Sequence, residues 1–110
     1  MRLFSTLCFA TLSLVGTAAH ANTSDLAAVA DLAKANGCFS CHSPTEKIVG
    51  PAFVSVAQKY ADDKGAAAEL AQSIQMGSKG KWGRAAMPAH SSLSAQDLKL
   101  LAGWVLSSKP

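Results

Sequence analysis

Only three cysteines occur in the sequence, Cys8, Cys38 and Cys41, and only the last two are closely spaced. A structural zinc site takes four ligands, usually from two such pairs, so the missing second pair excludes that reading. Strand-like alternation of apolar and polar residues is also absent, which removes the βαβ context that a thioredoxin-like dithiol needs. The chain carries no internal repeat and no low-complexity tract. Positive charge is modest, with ten Lys and Arg, Arg2 among them, against seven Asp and Glu. No basic stripe results, and that argues against a nucleic-acid binder. Aromatics are scarce as well, at 6% of the residues; from residue 22 onward they are Phe39, Phe53, Tyr60, Trp82 and Trp104. A domain this small buries only about 60–65% of its unfolded surface and is marginal without added core material.

The first 21 residues read as an export leader. Arg2 is followed by a charge-free run from Leu3 to Ala19 and then by Ala19-His20-Ala21, an AxA-like cleavage site. The expected cut falls after Ala21, leaving one domain over residues 22–110. An uncleaved anchor is the plainer alternative, but Ser5, Thr6, Thr11, Ser13 and Gly16 interrupt a run already marginal for a span of about 20 residues. Cys8 lies early in that run rather than at its end, against a lipoprotein cysteine. The mature chain is therefore expected in the periplasm, with no stable membrane insertion after cleavage.

What the chain does contain is Cys38-Phe39-Ser40-Cys41-His42. This CxxCH spacing is the attachment signature of a c-type haem. On a helical turn, positions i, i+3 and i+4 share a face, so both thiols and the imidazole can address one flat ligand. The thiols can make thioethers to two vinyl groups while the histidine binds iron from one side. One covalently attached haem would supply the missing core, and its propionates would offset the small positive excess of residues 22–110.

The remaining pattern is helical throughout. Ser24 can cap a helix with apolar positions Leu26, Val29, Ala30 and Ala33, stopped at Asn36-Gly37. Residues 43–50 read as a loop by their breakers. Pro51 is tolerated at a helix start, and Phe53, Val56, Ala57 and Tyr60 carry a second helix onward. Ala67, Leu70, Ala71 and Ile74 mark a third, ending at Gly77. Residues 78–93 lack a helical period and form a long loop, the kind that is usually functional. Ser94 and Asp97 resemble a capping box before a last helix with Leu98, Leu101, Ala102 and Val105 inside. Gly103 in that helix costs roughly 1 kcal/mol relative to Ala, which suggests either a solvent-facing position or a close backbone contact. The expected fold is all-α, about four helices around the cofactor, with the first and last packed together.

Histidine alone leaves one iron position open to gas or peroxide. Three side chains compete to close it. Met87 sits in the long loop beside Pro88, and a thioether favours ferrous iron and raises the potential. Met76 ends a helix whose inner face is Leu70 and Ile74, where methionine is usually packing. His90 lies three residues beyond Met87.

In the pieces CFSCH, VGPAF, GSKGKWG, MP and LAGWVLS, the chain from Ser24 to Lys109 resembles the small class I bacterial cytochromes c of the c551 or c8 type. The resemblance implies the class I cytochrome c fold, His42 and Met87 as axial ligands, Cys38 and Cys41 as thioether attachments, and one-electron transfer rather than catalysis. It further implies that the Pro51 carbonyl meets the far ring nitrogen of His42, and that the Trp82 indole N–H reaches a propionate. Two departures stand out. Relatives often carry an arginine near the inner propionate where this chain has Ser73, and prolines where it has Arg84-Ala85-Ala86.

The function expected is a monomeric carrier moving electrons between respiratory redox proteins. A nitrite reductase, terminal oxidase or peroxidase is the acceptor the resemblance suggests. The rivals are a fixed haem subunit of a larger redox complex and a sensor or enzyme with an open iron site. Lys79, Lys81 and Arg84 form a modestly basic rim that could orient an acidic partner, although ordinary solvated side chains would look the same.

Overall fold

The computed structural model describes residues 23–110, and the export leader expected over residues 1–21 lies outside them. Four α-helices follow one another: α1 Thr23–Ala35, α2 Phe53–Lys59, α3 Ala66–Met76 and α4 Ala95–Leu106, with a 3-10 turn at Cys38–Ser40. Among the described residues no strand forms, and an isolated antiparallel bridge joins Ser78 to Met87. No described helix is long and apolar enough to cross a membrane.

Helix α4 is the hub on which α1, α2 and α3 each pack. Its period of 3.6 residues puts Leu98, Leu101 and Ala102 on the buried side. Leu98 and Leu101 meet Val29 and Ala33 of α1 and Ile74 of α3 in one apolar cluster. Ala102 joins a second with Val56, Tyr60, Ala66 and Leu70. Ala33 and Ala102 are wholly buried; residues this small let helices approach closely at a crossing. Each buried Leu or Ile stabilises the fold by about 1.5–3 kcal/mol. The first and last helices pack together as expected.

Several local expectations shift. Leu26, on the predicted inner stripe of α1, is 45% exposed, because α1 meets only α4 and the adjoining 3-10 turn and so buries a narrow strip. Ser24 lies inside the described helix rather than before it. Pro51 stands two residues ahead of α2, whose N-cap is Ala52; its carbonyl is committed elsewhere. The first amides of α2 are met by loop carbonyls instead, Phe53 N–H by Ser43 at 3.0 Å and Val54 N–H by Pro44 at 3.1 Å. Ser94 caps α4, its Oγ accepting from the Asp97 N–H at 3.0 Å. Nothing lies within 4 Å of a Cβ built on Gly103, so this residue faces solvent.

Candidate functional site

Cys38, Cys41 and His42 open onto a single cleft that Met87 also lines, with Leu70, Ile74, Leu101 and Val105 among its apolar walls. The motif does not continue α1. Gly37, at φ 73, reverses the chain, and the 3-10 turn follows. Within it the Cys38 carbonyl accepts from the Cys41 N–H at 3.2 Å and the His42 N–H at 2.9 Å. This tight turn delivers the three side chains to one side. Both thiols are free and half-buried. Burial pushes the Cys38 thiol up.

The His42 ring is held on several sides. Its Nδ1 lies 2.7 Å from the Pro51 carbonyl oxygen. A carbonyl only accepts, so Nδ1 carries the proton and Nε2 keeps its lone pair for a metal. Phe53 stacks on the imidazole with centroids 5.2 Å apart, and Phe39 and Trp104 brace Phe53 edge-on at 5.8 and 5.1 Å. A Cβ on Gly50 would come within 2.6 Å of the ring, so the loop backbone closes against it only because no side chain intervenes. The Gly50 N–H donates to the Cys41 carbonyl at 2.7 Å, locking that approach.

The Met87 strap is fixed by backbone. Ser78 and Met87 exchange both N–H···O bonds, at 3.1 and 2.8 Å. Beyond it the His90 N–H donates to the Ile74 carbonyl at 2.9 Å, and His90 Nε2 donates to the Asn36 carbonyl at 3.1 Å. Of the three rivals for the second ligand, His90 is thus engaged with Asn36, just beyond α1, and is not part of the cleft lining. Met76 is 68% exposed and does not line the cleft, so it is not the packing residue expected, because α3 turns that position outward at its last residue.

One end of the cleft is polar. Trp82 lines it, and the Lys59 ammonium sits 4.5 Å over the indole ring, a cation–π contact. Lys81 also lines the cleft and bonds Glu69 and Ser73, both at 2.9 Å, while the Tyr60 hydroxyl donates to Glu69 at 3.0 Å. Hydrogen bonding to Lys81 and then to Tyr60 holds the Glu69 carboxyl below its ordinary range. Burial, then the Glu69 contact, pushes the Tyr60 phenol up. Lys81 is therefore not the free rim cation expected beside Lys79 and Arg84. Ser73, which stands where relatives often carry an arginine, has this ammonium on its hydroxyl.

The cytochrome c family model matches residues 26–109. This chain belongs to the cytochrome c family. It is similar to cytochrome c-552 of Nitrosomonas europaea, 49% identical over 80 residues covering 73% of this chain and 78% of that protein. Similarity to cytochrome c-551 of Pseudomonas aeruginosa is also 49%, over 71% of this chain and 74% of that one. Among solved structures, wild-type Nitrosomonas europaea cytochrome c552 superimposes with a TM-score of 0.70 at 49% identity, covering 73% of this chain and 99% of that one. The class 1 cytochrome MtoD of Sideroxydans lithotrophicus gives 0.63 at 29% identity over 76% and 95% of the two chains.

Membership in the cytochrome c family makes this an electron-transfer protein rather than an enzyme, with the class I all-α fold and one covalently bound c-type haem. The cleft fits that group. It offers two free thiols, an imidazole whose Nδ1 alone is engaged, an apolar lining, and a polar end suited to carboxylates. Among the described residues no cluster of three or more His, Cys, Asp and Glu could hold a bare ion.

Sequence reasoning named every residue of the attachment turn but missed those that work through backbone or through distant partners. Gly77 was read only as a helix stop, Lys81 only as surface charge, and Phe53 only as core. The alternation of Gly and Lys in Gly77-Ser78-Lys79-Gly80-Lys81 carried no signal that one lysine bonds Glu69 and Ser73 of α3.

Proposed function

We propose that the mature chain is a monomeric periplasmic one-electron shuttle whose haem is joined through Cys38 and Cys41 and ligated by His42 and Met87. The observation that carries this reading is the 2.7 Å bond from His42 Nδ1 to Pro51, which leaves Nε2 as the free donor in a cleft lined also by the Met87 side of the strap. When bound, the haem supplies an iron that takes up and returns one electron. The chain's own part is to keep its ligands still in both oxidation states: Pro51, Gly50 and Phe53 immobilise the imidazole, and the Ser78 bridge immobilises the strap. Small reorganisation then permits fast transfer, and ligand identity and burial set the potential.

Trp82 is proposed to offer its indole N–H to a propionate, because it lines the polar end of the cleft and no protein acceptor takes that N–H among the described residues. The leader over residues 1–21 supports export, and export suits a cofactor attached outside the cytoplasm. Donor and acceptor are redox proteins of the respiratory chain, with a nitrite reductase, terminal oxidase or peroxidase as acceptor. Lys79 and Arg84, both exposed, remain available to orient an acidic partner; partner on-rates that fall with added salt support this, and flat rates end it.

Intact mass and redox spectra of the exported protein test the whole reading. The expected product has lost residues 1–21, has gained one haem, and is low-spin with a methionine-to-iron charge-transfer band. Bare-peptide mass, or high-spin iron that readily takes carbon monoxide, overturns it.

A further inference from the structure

Lys81 reaches from a surface carboxylate into an apolar cleft. Its partner Glu69 is not among the cleft lining, whereas Lys81, Ser73, Tyr60 and Trp82 all are. An ammonium has three N–H donors. Two go to Glu69 Oε1 and Ser73 Oγ, each at 2.9 Å, and the third has no protein acceptor among the described residues. The ammonium stands at the solvent edge of the cleft, 36% exposed, with that donor open to an anion seated there. Glu69, 40% exposed, shares that edge and takes one donor only.

The charged and titratable groups around Lys81 can be named element by element. Helix α3 contributes Glu69, the end of α2 contributes Lys59 and the adjoining Tyr60, and the loop contributes Lys79 and Arg84, which are exposed. Helix α4 presents Leu101, Trp104 and Val105 to the cleft and no charge. Two ammonium groups therefore stand at this end, Lys59 over the Trp82 ring and Lys81 next to Trp82 in the chain, with one carboxylate, Glu69, bonded to Lys81. Such an end would suit the acidic edge of a cofactor.

We propose that Lys81, steadied by Ser73, is the cation that meets a haem carboxylate, and that Glu69 competes with that carboxylate for the same ammonium. The proposal rests on the haem reading above. It assigns to Lys81 a cofactor-binding role and to Glu69 a tuning role exerted through Lys81. A cation beside a carboxylate favours its ionised form and lowers its pKa. An ionised carboxylate near iron favours the ferric state, so the potential falls as pH rises through that pKa. Lys81 places this fall at low pH, and Glu69 limits how low.

Reduction potentials of the holoprotein measured from about pH 4 to 9 test the assignment. Lys81→Met is expected to move the fall to higher pH by on the order of 1 unit, and Glu69→Gln to move it lower. The two opposite displacements separate electrostatic pairing from general loosening, which would move both variants alike. A Lys81→Met curve that superimposes on wild type, or displacements of the same sign, overturns the proposal. Glu69→Gln stands at an exposed position and keeps the test open where Lys81→Met matures poorly; a curve that fails to move lower also overturns it. These failures differ from failure of the haem reading, which would show as a wild-type product that is colourless or not low-spin.

Discussion

A methyl group on Gly77 would meet the Met87 carbonyl oxygen at 2.6 Å. The end of α3 and the strap approach so closely that only hydrogen fits between them. Gly77 also adopts φ 76 and ψ 173, a region open essentially to glycine alone. The residue that ends α3 thereby seats the strap carrying Met87.

Gly77→Ala should consequently pay twice, in backbone strain of about 1–3 kcal/mol and in displacement of the strap. The charge-transfer band should weaken at temperatures where the helical signal persists. Gly80→Ala is the control: Gly80 also has positive φ, but nothing lies within 4 Å of its Cβ. It should cost stability without touching the band. Equal loss of the band in both variants would show that φ alone, not the Met87 contact, is responsible.

Met87→Ala should open the iron, lower the potential and admit carbon monoxide, since a thioether favours the ferrous state. Met76→Leu should leave spectrum and potential nearly unchanged, because Met76 is 68% exposed. Reversed outcomes would move the ligand assignment from one methionine to the other.

The contrast between these methionines shows what could be read in advance. Helical period and caps located α2, α3 and α4 to within a residue or two, because Phe53, Val56, Leu70, Leu98 and Leu101 obey one repeat and Ser94 is a cap by chemistry. CxxCH pointed to a covalent haem because such attachment demands a fixed local spacing. The strap was legible only as a loop. Its position depends on Gly77 meeting Met87, on His90 reaching Asn36 at a separation of 54 residues, and on Lys81 turning to Ser73. Such long-range pairings leave no periodic trace. Leu26 and Met76 misled for the opposite reason, since a helical stripe tells which face is apolar and not how wide a neighbour covers it.

Acid stability should report on Glu69. Lys81 first, and Tyr60 second, hold its carboxyl below the ordinary value of 4.5 in the folded protein. A depressed folded pKa contributes stability that is fully present above the unfolded value and is lost as pH falls through the folded one. Wild type should therefore be more stable than Glu69→Gln above about pH 5, and the difference should shrink steadily below pH 4.5. Thermal midpoints of the holoprotein measured across that window check it. A difference that persists unchanged at pH 3 would place the effect in packing rather than charge.

His90 offers the sharpest test of how the strap is tied down. Its Nε2 donates to the Asn36 carbonyl, just ahead of the attachment turn, and its buried Nδ1 has no partner among the described residues. The ring thus contributes one bond and one unpaired polar atom. His90→Ala should lose about 0.5–1.5 kcal/mol from the bond and leave the Asn36 carbonyl unanswered by a side chain. His90→Gln places an amide nitrogen near the lost Nε2 and removes the unpaired ring atom, so it should retain most of that stability. Denaturant titrations followed at the charge-transfer band and by helical circular dichroism distinguish strap release from global unfolding. In His90→Ala the band should vanish at lower denaturant than the helices, and in His90→Gln the two transitions should nearly coincide. Coincident transitions in His90→Ala would mean that the Ser78 bridge and Gly77 hold Met87 without help from the Asn36 contact.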